Sequence, residues 1–369
     1  MNHGWEKKRL GDICIYQRGL TYSKDDEVDK SSKSVLRANN IDLETFTLNF
    51  DDLKYLREDF YIDPKYLLSK DSILICMSSG SKSHLGKVAF VERDFDYAFG
   101  GFMGLITPKT NSRYLYLFMT SPFFRSHLQK ITNGININNL KFSTLQDLFV
   151  PLPNAEIQSK VVKELDRITV LIELKRNQLK DLDTLAQSLF YETFGDPIEN
   201  PKGWETKPFG KLIRLKSGDA LSAKNFCDGI YPVYGGNGIA GYHNKYNISG
   251  PNIIIGRVGA LCGNVRLIDA DIFVTDNAFI VNLQQDMNLR FLERLLTLLE
   301  LRKYANAAAQ PVISNTSLKV LNVPIPPISM QNEFAAKIEA IEEQKRLIES
   351  SISDLETLLA SRMDYWFND

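Results

Sequence analysis

Few residues in this chain stand where catalysis would need them. The stretch GSKSHLGK, Gly80 to Lys87, offers two glycines and a lysine as a phosphate-binding loop does. The glycines are one residue too far apart, however, and Val88 stands where a Ser or Thr would hold magnesium. Asp196 with Glu205, Thr206 and Lys207 could hold a catalytic divalent metal, but Glu205 belongs to a Gly-Trp-Glu that also occurs at Glu6, which favours a structural role. His3, His84, His127 and His243 have no carboxylate or cysteine nearby in sequence that would make one of them a base or a ligand. Cys14, Cys76, Cys227 and Cys262 are widely scattered without a C-x-x-C pair, so free thiols and no structural metal are expected. A base-methylating Asn/Asp-Pro-Pro-aromatic loop is missing, and YGGNGIAGYHN has no helix opening behind it to make a dinucleotide fingerprint.

What remains is chemistry of recognition. Polar loops carry Arg37, Asn39, Asn40, Ser78, Ser81, Lys82 and His84 in the first half, and Tyr234, Asn237, His243, Asn244, Lys245 and Arg257 in the second. Arg or Lys can address guanine and Asn or Gln adenine, while Ser, Thr, Lys and backbone N–H groups hold phosphates. Each of these residues serves equally well as a plain loop residue. Gly80, Gly235 and Gly236 either permit close backbone approach or simply turn the chain.

The elements that position these loops come as a duplication, the first feature to seek in a long chain. Gly4, Trp5, Glu6, Lys8, Gly11 and Gly19 recur 199 residues later as Gly203, Trp204, Glu205, Lys207, Gly210 and Gly218. The ends of the halves repeat at an offset of 173: Val150, Pro151, Pro153, Gln158, Leu182, Thr184 and Leu185 return as Val323, Pro324, Pro326, Gln331, Leu355, Thr357 and Leu358. The second interior is therefore 26 residues shorter. SVLRANNI, SILICMSSGSKSHLGKVAFV and FGGFMGLI correspond to YPVYGGNGI, NIIIGRVGALCGNVRLI and TDNAFIV, each a strand, a polar loop and a strand. Helices are expected at about 112–131 and 287–305.

After the proline runs VPLP and VPIPP, apolar residues fall at alternating spacings of four and three. Val161, Leu165, Ile168, Ile172, Leu179 and Leu182 form one seam, and Phe334, Ile338, Ile341, Ile348, Ile352 and Leu355 the other. Each reads as a helix of about 40 residues, roughly 60 Å long, able to pair antiparallel with its counterpart. Lys175 and Lys345 interrupt the seam, either to fix its register or simply to snorkel. Leu171, Leu174 and Leu185 widen the stripe toward a second neighbour. The expected organisation is a first globule over 1–154, a spacer helix over 155–196, a second globule over 197–327 and a second spacer helix over 328–369.

Charge follows the same alternation. Residues 1–154 carry 20 Lys and Arg against 18 Asp and Glu, and 203–327 carry 13 against 9; the helices 155–194 and 328–367 carry 6 against 7 and 4 against 8. The net charge of −1 thus conceals two mildly basic blocks. No apolar run is long enough to span a bilayer, and MNHGWEKKRL does not resemble a signal peptide; a cytoplasmic protein with no membrane partner is expected. Two similar globules with different loops, spaced by helices of defined length, suit two unequal half-sites on double-stranded DNA at a fixed separation.

The repeated GWE…LGD/FGK openings, the VPLP and VPIPP lead-ins followed by Gln158 and Gln331, and the long helix ending FGD resemble the DNA specificity (S) subunit of type I restriction-modification systems. The resemblance spans the whole chain and is specific as an arrangement. It implies an α+β fold: two α/β target-recognition domains separated by two long antiparallel coiled-coil helices, with a pseudo-twofold internal repeat. It also implies a non-catalytic subunit that reads an asymmetric bipartite site and directs adenine methylation and ATP-dependent restriction by its partners. Those partners are two methyltransferase (M) subunits and the restriction (R) subunits; S-adenosylmethionine, ATP and Mg are expected there and no cofactor in this chain. The chain is short for the family and opens almost on its first repeat, so closure of the fold is expected to be completed differently. The alternatives are a specificity subunit for a fused methyltransferase-nuclease, a protein-binding scaffold, or a silent or half-active copy without DNA readout.

Overall fold

The computed structural model describes residues 4–81, 84–133, 139–306, 311–319 and 321–368. The chain divides into two compact units, one of residues 1–176 with 350–369 and the other of 177–349. The division cuts through both long helices, Ala155–Phe194 and Ile328–Phe367, so each unit owns part of each helix.

Within the first unit, strands Cys14–Arg18, Met103–Pro108, Ile73–Cys76 and Val88–Phe90 form an antiparallel sheet in that order. A five-stranded sheet runs Glu27–Val28, Lys54–Leu56, Lys33–Leu36, Phe95–Phe99, Leu67–Leu68, and its one parallel pairing joins Lys33–Leu36 to Phe95–Phe99. The second unit repeats the first sheet with Ile213–Ser217, Ala278–Leu283, Asn252–Gly256 and Val265–Ile268. The counterpart of the five-stranded sheet has three strands, Gly238–His243, Tyr231–Gly235 and Phe273–Val274, again with a parallel pair. The repeat offset falls from 198 between Leu36 and Tyr234 to 180 between Cys76 and Gly256, so most of the length difference is spent on the missing strands. Helices Ser112–Thr120 and Pro122–Asn133 in one unit, and Leu289–Leu298 in the other, stand where the apolar periodicity places them.

One pair of repeated glycines is explained by close backbone contact. A Cβ on Gly19 would lie 2.0 Å from the Gly100 carbonyl oxygen, and one on Gly218 2.2 Å from that of Val274, so only glycine lets these backbones meet. Gly86 and Gly263 turn the chain at φ +76° and +84°, each donating its N–H back across a hairpin, to Cys76 and Gly256 respectively. Gly86 is thus a turn residue, and Lys87 beside it is 4% exposed with its ammonium on the Ile41 carbonyl at 2.6 Å.

The long helices run antiparallel in both units. In the first, Arg362 meets Glu164 and Arg176 meets Glu356 at 2.8 Å; in the second, Lys345 meets Asp183 at 2.9 Å while Phe190 and Phe194 pack on Phe334. Val161, Leu165, Ile168, Ile172, Phe334, Ile338 and Ile341 are buried, and Leu179, Leu182, Ile348, Ile352 and Leu355 half-buried. Each helix also ends in the core of the next repeat. Phe190 and Phe194 pack against Phe291 in the second unit, while Trp366 and Phe367 close the first unit against Trp5, Tyr114 and Phe118. The repeated tryptophans serve these helix ends: Trp5 stacks on Trp366 with centroids 5.9 Å apart, and Trp204 donates its Nε1–H to the Phe194 carbonyl at 2.9 Å.

Lys345 settles its role as a cross-helix partner. Its burial favours the neutral amine, but hydrogen bonds and charge from Asp183 and Glu342 outweigh this and raise its pKa above the usual lysine value. A raised lysine pKa means stability that is fully present below the usual value and lost as pH rises through the folded one. Asp183→Asn should therefore cost about 0.5 kcal/mol near neutrality, given the exposure of the carboxylate, and thermal unfolding at strongly alkaline pH should no longer distinguish the variant.

Candidate nucleic-acid interface

In each unit, strand ends from both sheets converge on one node, and the backbone bonds that build it are duplicated. In the first unit Gly19 N–H donates to Met103, Leu20 to Phe99, Met77 to Phe102 and Leu140 to Met77. In the second, Gly218 donates to Ala278, Asp219 to Val274, Arg257 to Asn277 and Ile313 to Arg257. The parallel strand pairs deliver their C-terminal ends to the same place: Arg37 beside Gly100 in one unit, Gly235 beside Thr275 in the other. One scaffold thus carries different side chains in the two units, which is what two readers of unequal sequences require.

Arg37, Asn39 and Asn40 share a loop organised by Asp52. The Asp52 carboxylate accepts from Arg37 Nη2 at 3.0 Å and Asn39 Nδ2 at 2.7 Å, holding both donors in place. Asn40 is 1% exposed, and its amide is taken up by the Asn49 and Asp52 carbonyls and the Arg37 N–H, so it holds the loop together. The loop's far side rests on the Lys87 ammonium, whose pKa burial lowers, and on Asp42, whose carboxyl is held below its usual range chiefly by the Thr45 N–H. Tyr22, near Gly100, has its phenol pushed up, first by burial and then by Glu27.

Ser78 joins the first node directly, its N–H on the Phe102 carbonyl at 3.1 Å and its backbone bridged to Asn139. Ser81 and His84 lie on the loop beyond, tied by a bond from His84 N–H to the Ser81 carbonyl; Lys82 and His3 lie outside the described residues. In the second unit Arg257 occupies the node where Met77 stands in the first. Its Nη1 donates to Ser217 Oγ at 3.2 Å and the Asp276 carbonyl at 3.3 Å, with the guanidinium 5.5 Å from the Phe279 ring centre. Asn237 is exposed in the hairpin turn next to this node, whereas Tyr234 is half-buried against Ile254 and Ile272. His243, Asn244 and Lys245 stand at the other end of that hairpin, about 13 Å along the strand. The His243 ring nitrogen Nδ1 accepts the Lys245 N–H at 2.9 Å.

The loops chosen for polarity left out Phe102, Asn277, Asp276 and Ser217, which the node contains. Aligning the repeat through its interior strands exposes them; loop polarity does not. Asp196 has a turn role, accepting the N–H groups of Ile198 and Glu199. Among the described residues no group of three or more His, Cys, Asp or Glu is arranged for a metal ion, and no helix is long and apolar enough to cross a membrane.

The family model for the type I restriction modification DNA specificity domain matches residues 2–184 and 201–357. The StySPI specificity subunit of Salmonella potsdam is 24% identical, over 97% of this chain and 86% of that one. The EcoprrI specificity subunit of Escherichia coli is 29% identical over 51% of this chain and 49% of its own length. In fold, the chain is similar to the type I S subunit of M. genitalium, with a TM-score of 0.60 at 15% identity, covering 99% and 96% of the two chains. A chain from a structure on complex assembly and conformational transition of the type I R-M system gives a TM-score of 0.57 at 16% identity, over 98% and 96%.

Proposed function

Since the chain belongs to the type I restriction-modification DNA specificity family, we propose that it reads an asymmetric bipartite site on double-stranded DNA and lends that specificity to partner subunits that do the chemistry. The observation that carries this reading is the duplicated node bearing unequal side chains. The first head presents Arg37 and Asn39 on a carboxylate buttress, with Ser78 on the node strand end; the second presents Arg257 and Asn237. An arginine fork held in place by Asp52, or by Ser217 and the Asp276 carbonyl, has already lost the freedom that a bidentate contact with guanine would cost. Because the arginines come from different strands, the two heads should read different bases.

Adenine methylation would belong to two methyltransferase subunits holding S-adenosylmethionine, and cleavage to restriction subunits using ATP and Mg. Surface for such partners stands on the long helices. Leu174 and Leu347 occupy the same repeat position and are 54% and 56% exposed; Leu185 and Leu358 form a second such pair at 51% and 45%. Apolar side chains that this chain leaves uncovered at repeated positions suit two copies of one partner. Leu174→Asp with Leu347→Asp should reduce co-purification of the methyltransferase at least tenfold while leaving the thermal unfolding of this chain unchanged to within about 0.5 kcal/mol, the usual range for surface substitutions. Full retention of the partner would place docking elsewhere.

The DNA-reading assignment is tested by making the heads equal. A chain in which the block 203–327 also replaces 4–154 should direct methylation to a symmetric site built from two copies of the second half-site. Methylation that stayed on the original asymmetric site, or spread without a motif, would refute separate reading by the two blocks.

A further inference from the structure

The first node carries a side chain that its turn does not require. Phe102 is 70% exposed, yet its backbone is firmly tied. Its carbonyl accepts the Met77 N–H at 2.9 Å and the Ser78 N–H at 3.1 Å. Gly100, two residues earlier, donates to the Leu36 carbonyl at 2.9 Å and accepts from Met103 at 2.8 Å, with Gly19 packed against its oxygen. The ring therefore projects from a fixed base, between the strand end that delivers Arg37 and the one that delivers Ser78. In the second unit the same turn is closed by the corresponding bonds from the Arg257, Thr275 and Ala278 N–H groups, with the exposed Asn277 in place of the phenylalanine. The backbone geometry is thus satisfied without an aromatic ring.

Resting on the DNA-reading assignment above, we propose that Phe102 is a wedge that enters the base stack of the first half-site, and that the second half-site, facing Asn277, stays stacked. A flat apolar side chain on a rigid turn suits insertion between base pairs, because the turn does not yield when the stack resists. An amide at the same position offers a donor and an acceptor for a base edge instead. The two heads would then differ in kind, one reading sequence partly through the ease of unstacking a particular step and the other through edge contacts alone. Flexible pyrimidine–purine steps are the expected place for the ring.

The test uses this chain in complex with its methyltransferase subunits and a duplex carrying its methylation site. 2-Aminopurine, which pairs with thymine, replaces in turn each adenine within and flanking both half-sites, on either strand, the methylated adenines excepted. Wild type should brighten one step in the first half-site and none in the second. Phe102→Ala should abolish that signal and weaken binding about tenfold, Phe102→Trp should keep both, and second-half-site base preferences should be unchanged in each. A wild-type complex that binds its site without brightening any step, or a Phe102→Ala variant that keeps the signal, would overturn the wedge and leave the DNA-reading assignment standing. A wild-type complex with no preference for the methylated site over unrelated duplex would overturn that assignment, and the wedge with it.

Discussion

Phe367→Ala is expected to destabilise the unit built from residues 1–176 with 350–369 and to spare the one built from 177–349. Phe367 is 1% exposed and its ring meets Tyr114 and Phe118 edge-on at 5.6 Å, inside a core that also holds Leu10, Val161 and Leu165. Truncating a buried phenylalanine costs about 3 to 5 kcal/mol, which for a unit of this size lowers its unfolding temperature by about 10 °C. Phe194→Ala should act in the mirror sense. Phe194 is 3% exposed and lies 4.9 Å from Phe291 and 5.3 Å from Phe334, so its loss should loosen residues 177–349. Hydrogen exchange followed by mass spectrometry separates the two cases segment by segment. Faster exchange spread evenly over both units, or confined to the unit named for the other variant, would contradict the crossed docking of the helix ends.

Arg257→Ala is expected to relax the second half-site and leave the first intact. The guanidinium stands at the node, held by Ser217 and the Asp276 carbonyl, where the first head has Met77. A bidentate arginine–guanine contact is worth about 1 to 3 kcal/mol of discrimination, so variants of one base pair should become substrates at rates about 10- to 100-fold closer to the cognate site. Arg257→Lys should recover little, because an ammonium cannot reproduce the planar fork. Since Arg257 also covers Phe279, a purely structural role would weaken binding to every sequence alike. The decisive readout is therefore base preference in each half, measured as methylation rate across a randomised site. Equal weakening at all sequences would make Arg257 a packing residue.

Much of the architecture was legible because the repeated ends of the halves carry residues whose backbone demands are strict. Gly19 and Gly218 cannot be replaced where two backbones touch, and Pro151, Pro153, Pro324 and Pro326 stand ahead of helices whose apolar spacing then runs for 40 residues. The crossed ends of those helices were not legible. The four-and-three spacing through Leu179 and Leu182 continues to Ala186 and Leu189 and passes over Phe190 and Phe194, whose partner, Phe291, lies about a hundred residues away where no local signal names it.

The residues of the two nodes were legible only in part, for a related reason. Loop polarity found Arg37, Ser78 and Arg257, which the nodes do contain, and also Asn40, whose amide is consumed inside its loop. It passed over Phe102, since an aromatic residue between glycines and a strand reads as core. The node is assembled from strand ends far apart in the chain, and only the shared hydrogen-bond pattern reveals which residues of the two halves are counterparts. The same pattern shows why the halves could diverge, for the bonds that hold the node are made by backbone and leave the side chains free to change.

On the function proposed above, this chain carries two unequal DNA readers and assigns one half of a split site to each. Co-expressing it with its methyltransferase subunits and mapping modified adenines across the host genome by long-read sequencing tests that claim most directly. The expected result is one asymmetric motif of two different halves separated by a fixed stretch of unread bases. A continuous motif, or no motif despite a stable complex, would contradict it.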